Sequence, residues 1–291
     1  MDSRYNLIKI GREIVQSPEQ AIDWAKRHGL LPTERICRRC RQPMTIRTDQ
    51  GIGSFSLPTL SKEMVSKGIL LTYAFATKMS YEQAIRESSL LETGEITSRN
   101  TVADWFSYSR ECCTIHLDGL YENFGPMGGP GRVIEIDEMK LGRRKFERGR
   151  VVEGSWILGM IDQESDEIRL EICPDNRRDS ETLLRLIQKH IRPDSTLFTD
   201  FWRGYNNLGQ NGFEHWCVNH SMQFVTEEGV STNKIESQWR PLRQRLARGG
   251  VQSDKLADHL CEFLWRRDCV RRNADPFGDL ISIIRMQFPG Y

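Results

Sequence analysis

Three carboxylates stand in short, distinctive contexts: Asp137 in VIEIDEMK, Asp200 in LFTDFWRGY and Glu236 in STNKIESQW. The first two close apolar, β-branched runs, and the third opens an amphipathic helical pattern. Cleaving a phosphodiester needs an attacking oxygen made nucleophilic and a leaving oxygen stabilised, and two divalent cations about 4 Å apart can do both. Hard cations take oxygen ligands and keep several waters, so a few converging carboxylates are enough. Acids gathered without a cation repel and raise one another's pKa. Each acid also has a local use. Asp137 could simply end an edge strand, with Glu135 and Glu138 as rivals for its role. Asp200 could cap a helix beginning near Trp202. Asn233 and Glu236 have the spacing of a capping box, which would leave Glu236 a backbone partner only.

The elements that must position these acids follow from the periodicity around them. Strands are expected at 132–138, 155–161, 167–172, 195–199 and 214–218, with the second and third joined as a hairpin. Alternation puts Val133, Glu135 and Asp137 on one face of the first strand and Ile134, Ile136 and Glu138 on the other. Helices are expected at 180–190, 202–208 and 235–246, with 254–271 as the last. In the third of these, Ile235, Trp239, Leu242 and Leu246 form the apolar stripe; Glu236, Arg240 and Arg243 share another face, and Pro241 stands inside. Three antiparallel strands, a helix, a strand and more helix make an α/β (α+β) order of ribonuclease H-like type.

Before residue 125 the pattern is helical. Ser17-Pro18 starts a short helix within residues 1–30, and Ser80 with Gln83 forms a capping box. Thr97 or Ser98 could cap a longer helix through Val102, Trp105 and Phe106. A short helix, a turn and a longer helix outline a helix-turn-helix, with Arg99, Asn100, Asp104 and Tyr108 as candidate base readers; plain packed helices give the same outline. Residues 31–57 are loop-rich around Cys37 and Cys40, half of a zinc-ribbon ligand set. The Gly/Pro run 125–131 cannot continue a helix and marks a linker. The division expected is a helical DNA-binding region at 1–124, the linker, a catalytic domain at 132–250 and a helical extension at 251–291.

A net charge of +1 makes local clusters, not the global balance, the sign of a polyanionic partner. Lys140, Arg143, Arg144, Lys145, Arg148 and Arg150 face Glu147 alone in one short stretch, and Arg240 and Arg243 recur on the helix that carries Glu236. These are candidate phosphate contacts, which position DNA without reading its sequence. No run approaches the roughly 20 apolar residues that span a bilayer, and the start of the chain lacks the apolar core of a secretory signal. The eight cysteines form no regular framework, so reduced thiols in an intracellular compartment are expected.

Four words in order carry a family resemblance: Ile136-Asp-Glu138, Thr199-Asp-Phe-Trp-Arg-Gly-Tyr205, Val218-Asn-His-Ser221 and Thr232-Asn-Lys-Ile-Glu-Ser-Gln-Trp239. Over residues 130–250, approximately, the chain resembles the DDE transposases of the Merlin superfamily and their bacterial relatives, the ISXO-like insertion-sequence transposases. The resemblance implies that Asp137, Asp200 and Glu236 are catalytic and hold Mg2+ or Mn2+, with His220 and Asn233 close behind them. It implies cutting of element ends followed by attack of the freed 3′-hydroxyl on target DNA. The partners implied are double-stranded DNA, as terminal inverted repeats and target, and further copies of the chain in a dimer or larger synaptic assembly, with no membrane. Arg203 joins the basic residues as a DNA contact. The implied location is the nucleus in a eukaryotic host and the cytoplasm, at the nucleoid, in a bacterial one. The family has a second cysteine pair where this chain runs directly into GIGSFSLPTLS, so Cys37 and Cys40 read as a remnant and structural zinc is not expected. That departure and Pro241 keep a rival open, a former transposase that binds DNA without cutting it; the intact acids argue against it. A nuclease of the same fold is the third reading.

Overall fold

A computed structural model describes residues 5–32, 34–36, 43–46, 54–55, 62–89, 94–142, 154–218, 230–246 and 253–288. In chain order the elements are α1 (Leu7–Glu13), α2 (Pro18–Arg27), β1 (Glu34–Ile36), β2 (Pro43–Ile46), β3 (Ser54–Phe55), α3 (Lys62–Ala76), α4 (Tyr81–Ser88) and α5 (Arg99–Phe124). They continue with β4 (Val133–Leu141), β5 (Ser155–Asp162), β6 (Ile168–Ile172), α6 (Ser180–His190), β7 (Thr196–Asp200), β8 (Glu214–Val218), α7 (Asn233–Leu246), α8 (Leu256–Arg271) and α9 (Pro276–Gln287). The chain forms two compact units, residues 1–116 with 265–291, and residues 117–264.

In the first unit, Ser17 caps α2 ahead of Pro18, Ser80 and Gln83 complete a capping box on α4, and Ser98 accepts from the Thr101 N–H at the start of α5. The loop-rich stretch after α2 carries a small sheet, with β1 antiparallel and β3 parallel to β2. Cys37 and Cys40 lie outside the described residues. The core holds Trp24, Tyr73, Phe75, Phe106, Trp265 and Phe277. Arg266 is buried among them because its guanidinium donates to the carbonyls of Phe75 and Ala76, the last residues of α3. A cation at a helix C-terminus satisfies carbonyls that have no partner within the helix. The helix expected last is followed by α9, whose signals are an Asp275 N-cap and Pro276 in its first turn. That helix buries Phe277, Leu280, Ile281 and Ile283, which puts the end of the chain in the first unit's core.

The Gly/Pro run 125–131 falls inside the second unit and is bonded to it. The Met127 N–H donates to the His190 carbonyl at 2.9 Å, the Arg192 N–H to the Met127 carbonyl at 2.8 Å, and the Gly129 N–H to Ser195 Oγ at 2.8 Å. Gly128, at φ +84°, passes so close to Ser195 that a Cβ would stand 2.5 Å from Oγ. The glycines that stop α5 thus also let the backbone lie against the neighbouring strand.

The second unit is a mixed α/β domain built on a five-stranded sheet in the order β6-β5-β4-β7-β8. Neighbours are antiparallel from β4 to β6 and parallel from β4 through β7 to β8. On one face Ile134, Ile136, Leu158 and Met160 pack with Leu183, Leu186 and Ile187 of α6. On the other, Met139, Ile157 and Ile161 pack with Ile235, Trp239, Leu242 and Leu246 of α7 and Leu256, Leu260 and Leu264 of α8. Residues 202–208, expected as a helix, form a single 3₁₀ turn at Arg203–Tyr205, followed by another at Gly209–Asn211. The Trp202 ring folds over Gly204, and Gly212 at φ +85° ends the second turn.

Asp137 pairs across the sheet with Gly159, and the missing side chain there makes room for Trp239 of α7. A Cβ on Gly159 would stand 2.3 Å from the Trp239 ring and 2.9 Å from Ile235 Cδ1. Gly159→Ala is therefore expected to lower stability by about 1–3 kcal/mol, the usual range for overpacking. Gly209→Ala, whose Cβ meets open space, is expected to unfold at the wild-type urea midpoint.

Candidate active site

Strand β4 alternates as its sequence requires, so Glu135 and Asp137 face α7 while Glu138 faces the opposite side. Glu135 is buried and anchors α7. Its Oε2 accepts from the backbone N–H groups of Lys234 at 2.8 Å and Ile235 at 3.0 Å, and its Oε1 from the Gln163 amide at 2.7 Å. A carboxylate at a helix N-terminus satisfies donors with no intrahelical partner and suits the positive end of the dipole. Asn233 is exposed and is the first helical residue, so the start of α7 is served by Glu135 from a distant strand. Glu236 does not depend on a capping box with Asn233; its Oε1 accepts from the Thr232 hydroxyl at 2.8 Å.

Asp137 is half-buried at the centre of β4, and its Oδ2 accepts from Trp239 Nε1 at 2.6 Å. Burial pushes its carboxyl up to about 6, against the pull of the Trp239 and Glu138 N–H groups; the charges of Asp200 and Glu236 add to the rise. Asp200 ends β7, where its Oδ1 accepts from the Trp202 N–H at 3.2 Å and shapes the turn that follows. Of the three acids picked from sequence, Asp137 thus feels the charges of the other two, Asp200 and Glu236. No three of the His, Cys, Asp and Glu side chains among the described residues stand close enough, as placed, to hold a metal ion. The donors offered at this spot are carboxylate oxygens, the chemistry a hard cation selects.

Of the basic residues, Lys140 is half-buried with its Nζ 5.4 Å from the centre of the Trp156 ring, and Arg203, Arg240 and Arg243 are exposed. Arg143, Arg144, Lys145, Arg148 and His220 lie outside the described residues.

The family model described as the ISXO2-like transposase domain matches residues 115–268, more than half of the chain and all three acids. The chain belongs to this family. An "Uncharacterized transposase-like protein" of Haemophilus influenzae (strain ATCC 51907 / DSM 11121 / KW20 / Rd) is 32% identical over 112 residues, which is 38% of this chain and 86% of that protein. Among solved structures, the catalytic core domain of BIV integrase matches at 13% identity and a TM-score of 0.32, over 54% of this chain and 97% of that one. The HTLV-2 integrase catalytic core domain in complex with magnesium (trimeric form) matches at 11% identity and 0.29, over 47% and 84%.

Sequence reasoning passed over a second cluster in the transposase domain, on the opposite side of β4. The Glu138 side chain is 2% exposed, and burial pushes its carboxyl up to about 7; Asp137 and Asp200 add to the rise, while Tyr205 and Arg178 oppose it. The buried Tyr205 hydroxyl is raised well above its ordinary value, first by burial and then by Glu138. Neither Glu138 Oε1 nor Tyr205 Oη makes a hydrogen bond of good geometry among the described residues. The signal in the sequence is their position, since Tyr205 belongs to the Asp200 word and Glu138 follows Asp137.

The raised pKa of Asp137 sets a pH dependence. In the fold it keeps its proton up to about 6, whereas the unfolded chain releases it near 3.8. Its ionisation therefore opposes folding: the cost is absent below the lower value, grows between the two and is complete above the upper one. In EDTA, Asp137→Asn is expected to be more stable than wild type by about 1–3 kcal/mol at pH 8, with the difference gone at about pH 3. Urea melts at the two pH values test this; a difference that does not change with pH would contradict it.

Proposed function

We propose that this chain is a DNA transposase that cuts the ends of its element and transfers the freed 3′-hydroxyl strand to target DNA. Support comes from family membership together with three acids, one each from β4, β7 and α7, the first of which feels the charges of the other two. The strand order, with β5 and β6 antiparallel and β7 and β8 parallel to β4, supports reading the second unit as ribonuclease H-like.

In this reading Asp137, Asp200 and Glu236 hold Mg2+ or Mn2+. When bound, such cations activate the attacking oxygen and stabilise the leaving one. The chain's own residues orient the acids. Trp239 fixes one oxygen of Asp137, Glu135 sets the start of α7 and with it Glu236, and the Trp202 N–H holds Asp200 at the turn. Exposed Arg240 and Arg243 on α7, Arg203 beyond Asp200, and the basic segment that begins at Lys140 meet phosphates. In the first unit, α4 and α5 serve as the helix-turn-helix. Tyr108 is 61% exposed there, and Arg99 is held by Glu82 at 2.8 Å beside the Tyr81 ring. DNA-bound assembly brings at least two copies together on terminal inverted repeats. No described helix is long and apolar enough to cross a membrane, and the proposed location is wherever chromosomal DNA is held.

Asp200→Asn is expected to fold and bind DNA as wild type does. It should lose cleavage of duplexes carrying the sequences that flank this gene, by a factor of at least about 100, in Mg2+ or Mn2+. Joined products from wild type alone mark strand transfer as well as cutting. Equal cleavage by both proteins would remove Asp200 from the chemistry. Cleavage by neither, with salt-sensitive binding by both, would make this a DNA-binding relic.

A further inference from the structure

Arg178 lies just before α6 in a segment whose backbone is fixed on both sides. Behind it, Asn176 adopts a left-handed conformation (φ 56°), and its side chain bonds strand β5 and the residue just before it. Its Oδ1 accepts from the Trp156 N–H and its Nδ2 donates to the Gly154 carbonyl, each at 2.8 Å. Ahead of it, Asp179 caps α6. The guanidinium is then held between two indoles, its Cζ 4.0 Å from the centre of the Trp156 ring and 4.4 Å from that of Trp202. Both distances are well inside cation–π range.

Among the described residues the donors of this guanidinium are unspent. Its one ion pair among the described residues is with Glu138 Oε1 at 3.8 Å, too long for a hydrogen bond, and no hydrogen bond from Arg178 is found there. The side chain remains 38% exposed, while the Glu138 carboxyl is 2% exposed. Arginine carries five N–H donors in a planar fork suited to phosphate. Fixed against two rings, it gives up little freedom when it takes a ligand. Trp202 also joins it to the acids, since its ring carries Arg178 and its N–H is bonded to Asp200. Lys140 Nζ, 5.4 Å from the Trp156 ring, adds a second cation to the same indole.

We propose that Arg178 binds a backbone phosphate of the DNA strand being cut, beside Asp200 and on the far side of β4 from α7, and positions that strand for reaction. The proposal rests on the transposase reading for the identity of the strand. The alternative role, neutralising Glu138, is separated from it by the variants used.

Removing the guanidinium alone would leave Glu138 unopposed, so the comparison is Glu138→Gln against Glu138→Gln/Arg178→Gln in the full chain. Binding to a duplex carrying the gene's flanking sequence is measured from 50 to 300 mM NaCl, with single-turnover cleavage of the same duplex in Mn2+. A lost phosphate contact is expected to make the slope of log K against log[salt] shallower by about 0.9. Cleavage by the double variant is expected to fall about tenfold or more below that by Glu138→Gln, even at saturating protein. An unchanged slope overturns the proposal whatever happens to the rate, because a partner of Glu138 alone would not alter counterion release. If wild type does not cleave at all, the transposase reading fails, and the slope still decides whether Arg178 meets phosphate.

Discussion

The site depends on how α7 begins. A buried carboxylate on β4, Glu135, accepts the Lys234 and Ile235 N–H groups, so the first turn of the helix is bonded to the strand that carries Asp137. Lys234 reinforces the joint through the Gln163 carbonyl at 2.7 Å and Asp166 at 3.0 Å. The constraint matters because α7 has a weak point. Pro241 removes one backbone donor from its interior, which on propensity alone would kink or end it. The helix nevertheless runs to Leu246, where Arg245 pairs with the buried Glu262 of α8. Pinned at both ends and packed through Ile235, Trp239, Leu242 and Leu246, it holds Glu236 opposite the sheet.

Strand β4 then divides three acids between two environments. Glu135 is spent on backbone donors, Asp137 faces α7 beside it, and Glu138 points to the other side toward Tyr205 and Arg178. Burial is the largest cause of the raised pKa at both Asp137 and Glu138, and each is pushed further by neighbouring acids. The arrangement stores electrostatic cost in the metal-free protein, which a bound cation at the acids would relieve. The two sides are also coupled. Asp137 and Asp200 are felt at Glu138, so charge that gathers at the acids on one side changes the field at this buried carboxyl on the other.

Much of this could be read from local pattern. Period-two alternation located the strands of the sheet, and Ser17, Ser80 and Ser98 marked helix starts because capping is chemistry between near neighbours. What escaped depends on tertiary contact. Nothing near Glu135 says that it caps a helix 99 positions away, and Asn233 offered a plausible local cap that the fold does not use. Arg178 reads as one more surface charge until Trp156 and Trp202 are brought around it. The helix α9 escaped for a different reason, since its Asp275-Pro276 start follows α8 so closely that the two cues resemble a chain ending. The basic run after Lys140 and the cysteine pair, prominent in the sequence, lie outside the described residues.

Under the proposed cation-holding role, the choice of partner for Asp137 follows from what the acid would have to do. Among the described residues its hydrogen-bond donors are neutral, the indole of Trp239 and the Glu138 backbone N–H. An arginine or lysine there would hold the carboxylate as firmly but would also cancel its charge and compete with any cation for its oxygens. An indole N–H fixes one oxygen and leaves the charge in place. That in turn requires a large flat ring against the sheet at the position opposite Asp137, and only a residue without a side chain, Gly159, leaves space for it. The glycine of β5, the tryptophan of α7 and the aspartate of β4 thus form one unit, in which each residue type is set by the other two.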